Sequence, residues 1–148
     1  MSNQLLFNVK GKIQGKARPF FFKNKNGKTG AFTRENTRNY EQLIALTTKQ
    51  VMIKAGINRT DDEPLKVNLY AYFKIPEYFT KKQRELAEMG VLRPTRKPDI
   101  DNIAKIYLDA LNGVVWKDDK QVVVLTCAKI YLVNPEIEEN VDVFIEKM

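Results

Sequence analysis

From Leu65 to Phe73 the apolar residues Leu65, Val67, Leu69, Ala71 and Phe73 take every second position, with Lys66, Asn68, Tyr70 and Tyr72 between them. A period of two is that of a half-buried strand, so the chain must build a sheet with one face covered by apolar side chains. Pro76 ends this strand, since proline cannot donate to a ladder. A strand needs neighbours, and the rest of the chain offers them. Leu5, Phe7, Val9 and Ile13 alternate with Asn8, Lys10 and Lys12, which predicts a first strand. The Asn26-Gly27 turn between Phe20 to Phe22 and Ala31-Phe32 predicts a hairpin. The β-branched run Val122 to Val133 predicts a long central strand, and Val141, Val143 and Ile145 a last one.

Helical spacing takes over between these runs. Tyr40, Leu43, Ile44, Thr47, Val51 and Ala55 predict a helix from Thr37 to Ala55, stopped by Gly56. Thr80 to Gln83 reads as a capping box that opens a short charged helix closing at Gly90. Asp101 is expected to cap a helix running to about Asn112, with the stripe Ile103, Ile106, Tyr107, Ala110 and Leu111. About five strands and three helices, without strict βαβ alternation, predict an α+β fold with a mixed sheet, as one domain over 1–148.

What is missing narrows the chemistry. The chain has no histidine, so Ser-His and Cys-His nucleophile pairs, an imidazole base and a His-ligated zinc are all excluded. One cysteine, Cys127, rules out an intramolecular disulfide and fits a reducing compartment. With no signal-peptide pattern and no apolar run of membrane length, a cytoplasmic protein is expected. The formal charge of +7 is uneven: residues 1–38 hold nine basic side chains and one acid, Glu35. Such a basic segment suits a polyanion, although a solvated basic face has the same composition.

Chemistry concentrates between Arg96 and Lys120. Pro98 disfavours helix just before it, so Asp99-Ile100-Asp101 is expected to be extended, with both carboxylates on one side and Ile100 toward the core. Lys105 follows Asp101 by one helical turn, and a second pair, Asp118-Asp119, stands just before the Val122 strand and can fold back toward the first. Carboxylates without imidazole are the donors of a hard ion such as Mg²⁺, with Mn²⁺ as a substitute. Such an ion can polarise a phosphodiester and activate water, with Lys105 placed to orient or activate that water or to stabilise the extra charge of the transition state. Bland readings stand beside these: Asp101 as a cap, Asp118-Asp119 as turn residues, Lys105 and Asp109 as a surface pair, Trp116 and Tyr107 as core, and Cys127 as a buried small hydrophobe.

KPDIDNIAKIYLDALNGVVWKDDKQV closely resembles the signature of the RusA family of Holliday junction resolvases, and GKARPFF is similar to that family's N-terminal element. The resemblance implies a homodimeric α+β endonuclease that nicks four-way DNA junctions symmetrically with Mg²⁺, in recombination and repair, without an organic cofactor. It implies Asp99, Asp101 and Asp119 as metal ligands and catalytic residues, Lys105 as the catalytic lysine and Asp118 as the alternative ligand. The turn from Leu111 to Trp116 is one residue shorter than in the best-known member, and Asp119 is preferred because it directly precedes Lys120-Gln121-Val122. Lys10, Lys12, Lys16, Arg18, Lys23, Arg93, Arg96 and Lys97 are the expected contacts to DNA. The alternatives are a non-catalytic nucleic-acid-binding module, a metal nuclease acting on flaps or forks, and a metal enzyme with another substrate.

Overall fold

The computed structural model describes residues 3–18, 20–32 and 35–148, and for Phe20, Ala31 and Phe32 the backbone alone. Strands β1 (Gln4–Lys10), β4 (Leu65–Phe73), β5 (Val122–Tyr131) and β6 (Asn140–Lys147) form a mixed sheet in the order β1-β6-β4-β5. β2 (Phe20–Lys23) and β3 (Thr29–Phe32) form a separate antiparallel hairpin. Three helices complete the α+β domain: α1 (Glu35–Ala55), α2 (Lys81–Glu88) and α3 (Ile100–Leu111). Among the described residues no helix is long and apolar enough to cross a membrane.

The alternation of β4 becomes the spine of the core. Leu65, Val67, Leu69, Ala71 and Phe73 are all buried, and so are Leu5, Phe7 and Val9 of β1 and Val141, Val143 and Ile145 of β6. β6 runs antiparallel to both β1 and β4, whereas β5 runs parallel to β4. α1 and α3 close this face. The hydroxyls of Tyr40 on α1 and Tyr107 on α3 meet at 2.7 Å in the interior, with their rings edge to face. Burial pushes the Tyr40 phenol up to about 12 and raises Tyr107 well above the usual range, so both stay protonated and the bond persists.

Five sequence expectations need correction. The Val122 run is an edge strand, not a central one, because among the described residues its only strand partner is β4. Its run of apolar residues mimics a strand buried on both sides, but Val123, Val124 and Leu125 are 58%, 36% and 43% exposed. β1 ends at Lys10, and Ile13 is buried from the segment beyond it. The buried stripe of α1 is Thr37, Tyr40, Ile44, Thr48 and Met52, which leaves Leu43 on the outside.

The N-cap of α3 is Asp99 rather than Asp101, and Ile100 is 45% exposed instead of facing the core. The capping box Thr80–Gln83 is present as expected, with Gln83 N–H donating to Thr80 Oγ1 at 3.2 Å and Thr80 N–H to Gln83 Oε1 at 2.8 Å.

Candidate active site

α3 carries acidic groups at both ends. At its start, Asp99 has extended backbone (φ −66°, ψ 149°), and its side chain makes no capping hydrogen bond. Asp101 lies in the first helical turn, and Asp99, Asp101 and Lys105 are all exposed. A helix start favours anions, because its N–H groups lack partners and the peptide dipoles add up there. Lys129 of β5 completes this end. Its ammonium donates to Arg96 O and, at 2.9 Å, to Pro98 O, so it pins the loop that delivers Asp99. Burial lowers the Lys129 pKa, and the nearby Asp99 carboxylate opposes that shift.

Asp118 and Asp119 sit at the other end of the helix. The chain turns at Asn112, where Trp116 Nε1–H donates to Asn112 Oδ1 at 2.7 Å, and enters a short 3-10 helix at Asp119–Gln121. Gln121 builds this corner: its amide donates to Thr60 O and Glu63 O and accepts from Lys117 N–H at 3.0 Å and Asp118 N–H at 3.3 Å. Asp118 caps the 3-10 helix by accepting from Lys120 N–H at 3.0 Å, and this bond holds its carboxyl below the usual range.

Asp119 moves the opposite way. Burial raises it first, the adjacent Asp118 second and Asp109 further, while Asn112 opposes them. From Asp101 to Asn112 there are eleven residues, or about 16 Å of helix at 1.5 Å per residue. Among the described residues no three carboxylate, thiol or imidazole groups gather closely enough to hold a metal ion. Within the chain the two expected acidic pairs therefore stand apart.

The N-terminal segment lies across this helix. Lys16 N–H donates to Asn102 O at 2.9 Å, and a Cβ on Gly15 would stand 2.8 Å from Pro98 Cβ and 2.9 Å from Asn102 Cβ, so only glycine fits that approach. The Lys16 ammonium is paired with Glu41 and, at 3.3 Å, with Asp109. Burial works against its charge, but the two carboxylates outweigh it and raise its pKa. Asp109 thus pairs with Lys16, and the ion pairs among the described residues include none between it and Lys105.

A family model for the endodeoxyribonuclease RusA matches residues 10–142. The chain belongs to the RusA endodeoxyribonuclease family. The uncharacterized protein YqaN of Bacillus subtilis (strain 168) is 36% identical over 116 residues, covering 77% of this chain and 79% of that protein.

Of the basic residues expected to meet DNA in this RusA-family chain, Lys10, Lys12, Arg18, Lys23, Arg96 and Lys97 are exposed. Arg93 is also exposed but donates to Gly90 O and Lys129 O, and Arg96 lies 4.9 Å above the Tyr78 ring. Pro19 of the GKARPFF element and Arg34 of the basic segment lie outside the described residues.

Tyr107 and Trp116 are core residues as expected, whereas Cys127 is half-buried. Sequence reasoning missed Lys129 and Gln121. Lys129 stands two residues beyond Cys127 on a strand, so period-two counting from Cys127 Sγ, which reaches Ile100 O at 3.8 Å, points it at the same helix start. Gln121 gave no signal, because its four partners are read from a corner that only tertiary folding creates.

Proposed function

We propose that this chain is a Mg²⁺-dependent, structure-selective endodeoxyribonuclease that resolves Holliday junctions by paired symmetric cleavage, acting in the cytoplasm as a homodimer in recombination and repair. The observation that carries this reading is the pair Asp99 and Asp101, exposed at the start of α3 beside Lys129 and under the basic N-terminal segment. The donor set suits the ion. Mg²⁺ needs one or two carboxylates and completes its shell with waters and substrate phosphate, which Asp99 and Asp101 can satisfy with Mn²⁺ as a substitute. When bound, such an ion neutralises phosphate charge and makes water more acidic.

The chain's own residues do the rest. Lys12, Arg18 and Lys10 bind phosphates without reading sequence, and Lys105, one turn beyond Asp101, offsets the charge that builds up on the phosphate under attack. Lys129 holds the Arg96 to Pro98 backbone and so fixes where Asp99 stands. Asp119 is the third metal-ligating and catalytic carboxylate of this reading, with Asp118, whose carboxylate caps the 3-10 helix, as the alternative. Because Asp119 lies far along α3 from Asp101, it joins the Asp99 site only from a second copy of the chain. A two-fold dimer also matches the near two-fold symmetry of a junction.

The test compares an immobile four-way junction with a matched linear duplex, with Mg²⁺ and with chelator, wild type beside Asp99→Asn. Paired nicks in the junction alone, lost with chelator or in the variant, are expected. Metal-independent binding without nicks on either substrate would make the chain a binding module, and equal nicking of flaps and forks would broaden the substrate to other branched DNA.

A further inference from the structure

We propose that the exposed edge of β5 is the surface on which two copies of this chain pair, antiparallel, about a two-fold axis at Val124. The proposal deepens the homodimer reading above by naming its surface and register. The two edges of the sheet differ in kind. β1 turns Gln4, Leu6, Asn8 and Lys10 to its outer face, a largely polar set that discourages pairing. β5 instead exposes Val123, Val124 and Leu125 in sequence, so it is apolar on both faces and at its edge. A long apolar edge left open is an aggregation site, and closure by a second copy removes it.

Backbone parity fixes the register. Lys129 O accepts from Arg93 outside the sheet, whereas Leu132 N–H donates inward to Phe73 O at 2.7 Å. Odd residues of β5 therefore present their backbone groups outward, and even residues turn theirs to β4. Arg93 already occupies the edge at Lys129, and the exposed apolar residues Val123 to Leu125 in the stretch left open are centred on Val124. An axis there makes Val124 face its own copy as a pair without mutual hydrogen bonds, and sets Val123 against Leu125 as a hydrogen-bonded pair.

Charge agrees with this register. Lys129 lies five residues after the axis and Asp119 five before it, so the cationic end of one β5 meets the acidic corner leading into the other. Opposite charges arranged this way around an isologous contact favour one alignment over its slips. The two sheets would join through β5 into one sheet running from β1 to β1.

The test uses the full chain with Cys127→Ala, so that a single introduced thiol reports. Val124→Cys in that background places two thiols within the 4.4–6.8 Å Cα range that a disulfide spans. Mild oxidation is expected to convert it to a covalent dimer, while Leu6→Cys in the same background, on the β1 edge, stays monomeric on a non-reducing gel. Val124→Lys, at a side chain exposed in the protomer, is expected to sediment as a monomer with unchanged circular dichroism. A wild-type dimer that Val124→Lys leaves intact, or that Val124→Cys fails to trap, would overturn the β5 surface and leave the dimer standing. A wild-type chain that sediments as a monomer at every concentration would overturn both.

Discussion

At the start of α3, Asp99 and Asp101 face solvent and the Asp99 side chain makes no capping bond, whereas at its end Asp118, Asp119 and Gln121 are fastened into a corner of hydrogen bonds with Trp116 beneath. The same residue type is used in two ways on one helix. A carboxylate that caps a turn has its acceptor capacity taken by the chain, and one that does not keeps it for a ligand. The open end thus keeps its acceptors for the ion of the proposed function and the closed end holds shape, with Asp119, pushed up in pKa, standing between the two uses.

The largest effect that tests this contrast is Asp99→Asn. Cleavage is expected to fall by about 10²–10³-fold, with the melting temperature and junction binding little changed, because the Asp99 side chain is exposed and makes no capping hydrogen bond. A matching loss of stability would place Asp99 with the structural acids. At the closed end Trp116→Phe keeps most of the buried area but drops the bond to Asn112. It is expected to cost about 1–2 kcal/mol in urea unfolding, with Asp99 chemistry weakened only through a less stable protein.

Lys16→Met leaves Glu41 and Asp109 without their shared cation, and about 1 kcal/mol of stability should go with it. Because the folded pKa of Lys16 is raised, its contribution is fully present below the unfolded value near 10.5 and is lost as pH rises through the folded one. The gap between wild type and Lys16→Met in melting temperature should therefore hold through neutral pH and close in strong alkali. The smallest effect is at Asp118 and Asp119, and its sign differs between them. Asp118, with a lowered pKa, supports the fold above its unfolded pKa and ceases to as pH falls through its folded one, so Asp118→Asn should lower the melting temperature at neutral pH. Asp119, with a raised pKa, opposes the fold once ionised, so Asp119→Asn should raise it slightly. Equal signs would remove the distinction drawn between the two.

Much of this was legible in the chain. β4 declared itself because alternation is a local signal, and the Thr80 capping box was found because both its bonds lie within four residues. α3 was placed within a residue or two of its ends, with the cap assigned to Asp101 where Asp99 stands. The misplacement of β5 has a physical source. Apolar runs mark burial, but they do not say whether the cover is the chain's own core or another surface, and only the sheet order separates the two. The Lys16 pairing with Glu41 and Asp109 was illegible for another reason, since it joins three distant segments. The two acidic pairs were expected to meet, and the antiparallel run of α3 against β5 instead sets them at opposite ends.

Gly15 has a mechanical meaning beyond its fit. With no side chain to hold them apart, the basic segment and the start of α3 are in backbone contact, and Lys16 N–H to Asn102 O ties them together. On the proposed reading grip and cut belong to one rigid body, and the span from a phosphate held by Lys12 or Arg18 to the one set before Asp99 would be a fixed length, a ruler laid along the DNA. A bulkier residue at 15 would lengthen that ruler, moving the place of the nick before it changed the strength of the hold.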